Sequence, residues 1–187
     1  MKALVPSLLL LGAVATTSLS AADQASDKLL GFEFGVGFHL VEDSRYDGTD
    51  ANFGLVIPVG QKFDVVIYHE VGRYFGKQEG EHSQIDNDVN ELRFRVAAWD
   101  GESQAVKIFL GIGYSDADID GNSVSAPIAD IGVNFTVIKT KSGPVKGEVA
   151  INAAYRYFRF DDVNGDLNDP VTKLGGFIIG VNAGLYF

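Results

Sequence analysis

The chain contains no cysteine. That excludes disulfide staples, thiolate metal sites, a cysteine nucleophile and a lipid anchor carried on an N-terminal cysteine. Positive charge is scarce beside negative: 15 Lys and Arg stand against 25 Asp and Glu, for a formal net charge of −10. A surface of that sign repels phosphate backbones, so nucleic acid is not an expected partner. Beyond the N-terminus no stretch reaches about 18 uninterrupted apolar residues, the length a spanning helix needs. A phosphate-cradling glycine loop is also missing, because the glycines follow a two-residue alternation instead.

What is present points to β structure. There are 22 glycines, 13 phenylalanines and 7 tyrosines, a mixture suited to antiparallel strands. The N-terminus carries Lys2, an apolar run from Leu8 to Val14, and small residues at Ser20-Ala21-Ala22. This is the pattern of a cleavable export signal over residues 1–22, leaving residues 23–187 as one β-barrel domain. No second domain, linker or low-complexity tract is evident, and no peptidoglycan-binding domain is expected after Phe187.

The end of the chain shows the alternation most clearly. Phe177, Ile179, Val181, Ala183, Leu185 and Phe187 fall on one parity; Gly176, Ile178, Gly180, Asn182, Gly184 and Tyr186 fall on the other. A strand sends alternate side chains to opposite faces, so this is a strand with one greasy side. The pattern recurs in seven earlier segments: Leu30–Leu40, Asn52–Val59, Phe63–Phe75, Val89–Trp99, Val106–Ser115, Asp130–Val137 and Glu148–Phe158. His69 and Arg73 are exceptions, sitting on the apolar parity, and are expected near or beyond a membrane rim. Short turns at residues 60–62, 100–103 and 141–144 alternate with polar stretches expected to be long loops, at 41–50, 76–87, 116–125 and 161–173. Eight strands with that alternation predict an all-β, antiparallel, up-and-down transmembrane barrel with both ends on the same side.

Parity alone does not say which face points outward. A soluble lipocalin-like barrel would bury the greasy face; a membrane barrel would show it to lipid. Three features favour lipid. The polar parity is rich in glycine and mixes charges, as a narrow interior would. Aromatics such as Phe32, Phe38, Phe53, Phe63, Trp99, Tyr114, Tyr155 and Tyr157 lie near strand ends on the apolar parity, where girdles form. The last residue is an apolar-parity Phe187. On these residues the chain resembles the small eight-stranded outer-membrane barrels of the OmpA/OmpX type. The resemblance implies residence in the bacterial outer membrane, contact with its lipid and lipopolysaccharide, and a monomeric state. It also implies insertion by the barrel-assembly machinery, with Phe177, Ile179, Val181, Ala183, Leu185 and Phe187 as the assembly signal, and surface loops that meet a host or other surface ligand.

The inward charges are Glu33, Glu70, Glu91, Arg93, Arg95, Lys107, Glu148 and Arg156. Buried charges are costly unless paired, so a salt-bridged lumen centred on Arg93 and Arg95 is expected. Such a lumen is either a packed polar core or a gated narrow path. Asp116, Asp118 and Asp120, followed by Gly121, match the first half of a calcium loop, but its twelfth position is Pro127 rather than Glu, so at most weak Ca²⁺ binding is expected there. The acidic stretch Asp161–Asp169 is a similar candidate, and both also read as solvated turns. No other cofactor is expected. His82-Ser83, with Glu79 and Glu81 nearby, lacks the strand placement of a lipid A deacylase site. The leading reading is therefore a non-enzymatic structural or surface-interaction (adhesion) barrel. A narrow porin-like channel for small solutes is the alternative, and a lipid A-modifying enzyme comes third.

Overall fold

A computed structural model describes residues 30–42, 46–60, 62–76, 84–119, 122–142, 145–158 and 174–187. The export-signal stretch lies outside them, as do the His82-Ser83 segment, Asp120 and the Asp161–Asp169 stretch. Eight strands make up the described chain: β1 Gly31–Val41, β2 Tyr46–Pro58, β3 Phe63–Gly76, β4 Gln84–Asp100, β5 Ala105–Ile119, β6 Asn122–Ser142, β7 Val145–Phe158 and β8 Gly176–Tyr186. Each pairs antiparallel with its sequence neighbours, and β1 pairs with β8 to close the barrel. Closure leaves no unpaired edge, which is what permits strands to cross lipid. The two ends of the described chain meet, with the Phe187 amide donating to the Leu30 carbonyl at 2.9 Å.

The greasy parity points outward. Phe34 is 55% exposed, Ile131 59% and Phe177 60%. On β8 every second residue from Phe177 to Phe187 is exposed, between exposed apolar residues on β1 and β7. A continuous apolar exterior of this kind would be unfavourable in water, at about 25 cal/mol per Å². It marks a lipid-facing belt instead. His69 and Arg73 do lie on the outer face, where His69 pairs with Asn90 at 3.1 Å and Arg73 with Asp86 at 2.7 Å.

Strands extend into three of the stretches expected to be loops. β2 begins at Tyr46, β4 at Gln84, and β5 and β6 run to Ile119 and from Asn122. The reason is physical: beyond the belt the alternation inverts. On β4, Ile85, Asn87 and Val89 are buried inside while Gln84, Asp86 and Asp88 are exposed. On β5, Ala117 is inside and Asp116 and Asp118 outside; on β6, Val124 and Ala126 are inside and Ser123 and Ser125 outside. Water replaces lipid outside, so polar residues take the outer parity and apolar ones fill the interior. A reading that follows one greasy parity loses the strand where the parity changes sign.

Two bulges shift the register near the short turns, between Ala97 and Trp99 and between Thr136 and Ile138. An extra residue flips the parity after it. Trp99 and Ile138 are thereby exposed at 51% and 52%, where uninterrupted alternation would turn both inward. At the start of β8, Gly176 has φ +146°, a region L side chains rarely adopt, and a Cβ there would overlap the Leu40 carbonyl oxygen.

Candidate functional site in the barrel lumen

The interior has three levels. At the short-turn end is a cavity of about 610 Å³, lined among others by Val56, Asp64, Lys107, Lys146, Glu148 and Tyr186. Lys107 Nζ lies 3.7 Å from Asp64 and 3.4 Å from Glu148. Next to it, Arg95 Nη1 grips both oxygens of Glu33 at 2.7 and 2.8 Å, and the Tyr186 hydroxyl donates to Glu33 at 2.6 Å. Arg95 Nη2 also lies 3.7 Å from Asp64.

The middle level is a denser cluster. Arg156, 1% exposed, donates to both Glu70 oxygens at 2.6 and 3.0 Å and to both Asp130 oxygens at 2.9 Å. Arg93 donates to both Glu91 oxygens at 2.9 and 3.0 Å and reaches Asp130 at 3.2 Å. Its guanidinium lies over the Tyr68 ring, 3.3 Å from the centroid, and 4.8 Å from that of Phe109. Such stacking lets a planar cation give up water without losing all stabilisation. His39 and Asp50 join this level: His39 Nε2 is 2.9 Å from Asp50 and 3.6 Å from Glu70.

Above it lies an apolar cluster of Tyr46, Tyr74, Ile85, Val89, Phe158 and Leu174, with smaller residues around them. Ile85 and Val89 come from the inverted part of β4, and the cluster fills the long-loop end. Taken together, the described interior is a cavity at one end, two salt-bridged layers, and an apolar seal at the other.

All eight charges expected in the lumen lie inside, but they do not form one network centred on Arg93 and Arg95. Those two arginines anchor different layers, and Arg156 holds the middle of the larger one. Four participants were not singled out from sequence: Asp64, Asp130, His39 and Asp50. The first three stood on the polar parity and were findable there. Asp50 was hidden in a stretch taken for a loop.

Asp116 and Asp118 lie on β5 facing outward, not in a loop. They stand directly across from Asp88 and Asp86 on β4. A strand spaces same-face residues along a line about 6.6 Å apart, whereas a calcium loop curls its ligands around a point. The Ser125 hydroxyl donates to Asp116. On the same wall, Arg73 donates to Asp86 and holds its carboxyl below the usual carboxylate range.

No protein-family model and no curated protein matches the chain. Among solved structures, the N-terminal β-barrel domain of Pseudomonas aeruginosa OprF is similar at a TM-score of 0.52 and 9% identity, over 86% of this chain and 99% of that one. Neisserial surface protein A (NspA) gives a TM-score of 0.55 at 12% identity, over 87% and 97%. The chain has the fold of the small eight-stranded outer-membrane β-barrels. An eight-stranded barrel is only wide enough for its own side chains to fill it, and the three levels fill this outer-membrane-type barrel except at the short-turn end. Of the residues expected to signal assembly, Phe177, Ile179, Val181, Ala183 and Leu185 form the outer face of β8, and Phe187 follows it on the same face.

Proposed function

We propose that the chain is a non-enzymatic protein of the bacterial outer membrane, with a structural or surface-interaction role exercised from its outside. The observation that carries this reading is the filled lumen. Paired charges occupy its middle, and Tyr46, Tyr74, Ile85, Val89, Phe158 and Leu174 close the long-loop end. A through-path would have to separate buried ion pairs and displace that apolar cluster, so the alternative of a narrow solute channel is disfavoured. Short turns face the periplasm in such barrels, so the cavity opens inward and the inverted, polar-walled segments project outward. That projecting wall carries Asp86, Asp88, Asp116 and Asp118. Carboxylates at that height can meet divalent cations held between lipopolysaccharide phosphates, as well as a soluble or host surface partner.

Lipid A mass spectra and surface binding together test the proposal. Deletion and overexpression should leave the lipid A masses unchanged. Cells displaying the protein should differ from the deletion strain in envelope permeability or surface binding, and exchange of the four aspartates for asparagine should reduce that difference. A new or missing acyl chain that follows expression would replace this reading with the lipid A-modifying enzyme.

A further inference from the structure

The middle layer carries more negative charge than its arginines offset. Asp50, Glu70, Glu91 and Asp130 are all at most 6% exposed, and among the described residues they share one connected cluster with only Arg93 and Arg156 as permanent cations. Four carboxylates against two guanidinium groups leave two negative charges inside a barrel wall. Uncompensated buried charge is costly, so the surplus is met by a bound proton or by a bound cation.

The place for it is set by His39. Its Nε2 faces Asp50 Oδ2 at 2.9 Å and Glu70 Oε1 at 3.6 Å, and the three ligand atoms all lie within 4.8 Å of one another. Ligands bound at 2.0–2.1 Å around a tetrahedral ion are about 3.4 Å apart. The two measured separations bracket that value. Glu70 Oε2 already accepts from Tyr68 and Arg156, while Oε1 accepts from Arg156 and keeps a second lone pair. Tyr74 adds a supporting contact, its hydroxyl 3.4 Å from His39 Nδ1. An ion would replace the Nε2 proton that bonds Asp50 at 2.9 Å, moving the ring proton to Nδ1 beside Tyr74, the arrangement of ligating histidines with an outer hydrogen-bond partner.

A second feature points the same way. Asn182 is 5% exposed, and its Oδ1 has no hydrogen-bond partner; neither has Oδ1 of Asn52. Both oxygens crowd the space over Gly35, where a Cβ would overlap Asn182, and Asn52 Nδ2 donates to Asp50 at 2.8 Å. Beside it, a Cβ at Gly37 would overlap the Asp50 carboxylate. Gly37 thus leaves room for the Asp50 carboxylate, and Gly35, two residues along β1, for the two unpartnered amide oxygens.

The geometry points to a buried divalent transition-metal site on His39, Asp50 and Glu70, with the Asn52 amide bracing Asp50. One imidazole nitrogen with two carboxylate oxygens suits zinc or another first-row divalent ion. Calcium and magnesium are disfavoured, since each takes six or more oxygen ligands. The ion would neutralise the surplus charge and tie β1, β2 and β3 together, since His39, Asp50 and Glu70 come one from each.

The test uses the intact barrel purified from membranes in detergent, incubated with Zn²⁺, desalted and assayed for metal by mass spectrometry. About one zinc ion per chain is expected for a closed three-residue site. It should persist in the Asp116→Asn/Asp118→Asn variant and be lost in His39→Gln that still migrates as a heat-modifiable barrel. Zinc-free wild type, or equal zinc in His39→Gln, would overturn the site. Loss of zinc on changing Asp116 and Asp118 would also overturn it, assigning the metal to the outer wall. Should His39→Gln not fold, Co²⁺ loaded into the wild type decides. Intense ligand-field bands of a low-coordinate ion support the site, and the weak spectrum of hydrated cobalt refutes it.

Discussion

Replacing Arg156 with methionine should be among the most damaging single changes in the barrel. The side chain is 1% exposed, and its two hydrogen-bond partners, Glu70 and Asp130, are each 0% exposed, with Glu91 a further 3.8 Å neighbour. Without the guanidinium, Asp130 keeps Arg93 at 3.2 Å. Glu70 keeps the Tyr68 hydroxyl at 2.9 Å but loses its arginine. Breaking one side of a buried pair strands a charge and costs about 3–5 kcal/mol. That is about a fifth or more of a typical folding stability of about 5–15 kcal/mol. The cost comes from the stranded carboxylate, so Glu70→Gln in the Arg156→Met background should return about 1–3 kcal/mol. Equilibrium urea unfolding in lipid vesicles gives both numbers, followed by the emission of Trp99, the single tryptophan, which faces outward at 51% exposure. A loss below about 1 kcal/mol for Arg156→Met, or no recovery with Glu70→Gln, would refute the pairing of charge burial with stability.

Other perturbations separate the parts of the structure. Arg73→Met breaks an ion pair whose partners are 52% and 53% exposed, so the same unfolding assay should register no more than about 1 kcal/mol. Arginine at Leu110 or Val133, on the outer face of the belt at 53% and 41% exposure, should cost about 2–4 kcal/mol in lipid. Arginine at Asp116, beyond the belt, should be close to neutral, and equal effects at both heights would contradict the placement of the membrane. Gly176→Ala should destabilise by about 1–3 kcal/mol, because the backbone there has φ +146° and no room for a Cβ; unfolding no easier than wild type would contradict that.

The strand count, the antiparallel closure and the outward direction of the greasy parity were all legible in the sequence, because lipid imposes a period-two pattern on residues such as Phe177 to Leu185. The height of the barrel was not legible. Ile85, Val89, Val124 and Ala126 are apolar on the parity that faces inward, so their segments looked like irregular polar loops beside the belt. The inverse pattern was there to be read in Gln84-Ile85-Asp86-Asn87-Asp88-Val89, whose two apolar residues share the inward parity with only Asn87 interrupting. The charges of the lumen could be named from parity, but their partners could not. Pairing is set by register around the barrel and by side-chain reach across it. Arg156 on β7 meets Glu70 on β3, a contact that no local spacing encodes. The outward place of Trp99 was legible but the bulge that produces it was not, since one extra residue in a strand leaves no composition signal.

The central claim is that the lumen is closed at its long-loop end and in its middle, so that the protein works by its exterior. Single-channel recording of the purified barrel in planar bilayers measures this directly. The expected trace is a quiet baseline without reproducible unitary steps for the wild type, with conductance appearing only when Tyr46 and Tyr74 of the apolar seal and Arg156 beneath it are truncated together. Steady, uniform openings from the wild-type barrel would contradict it.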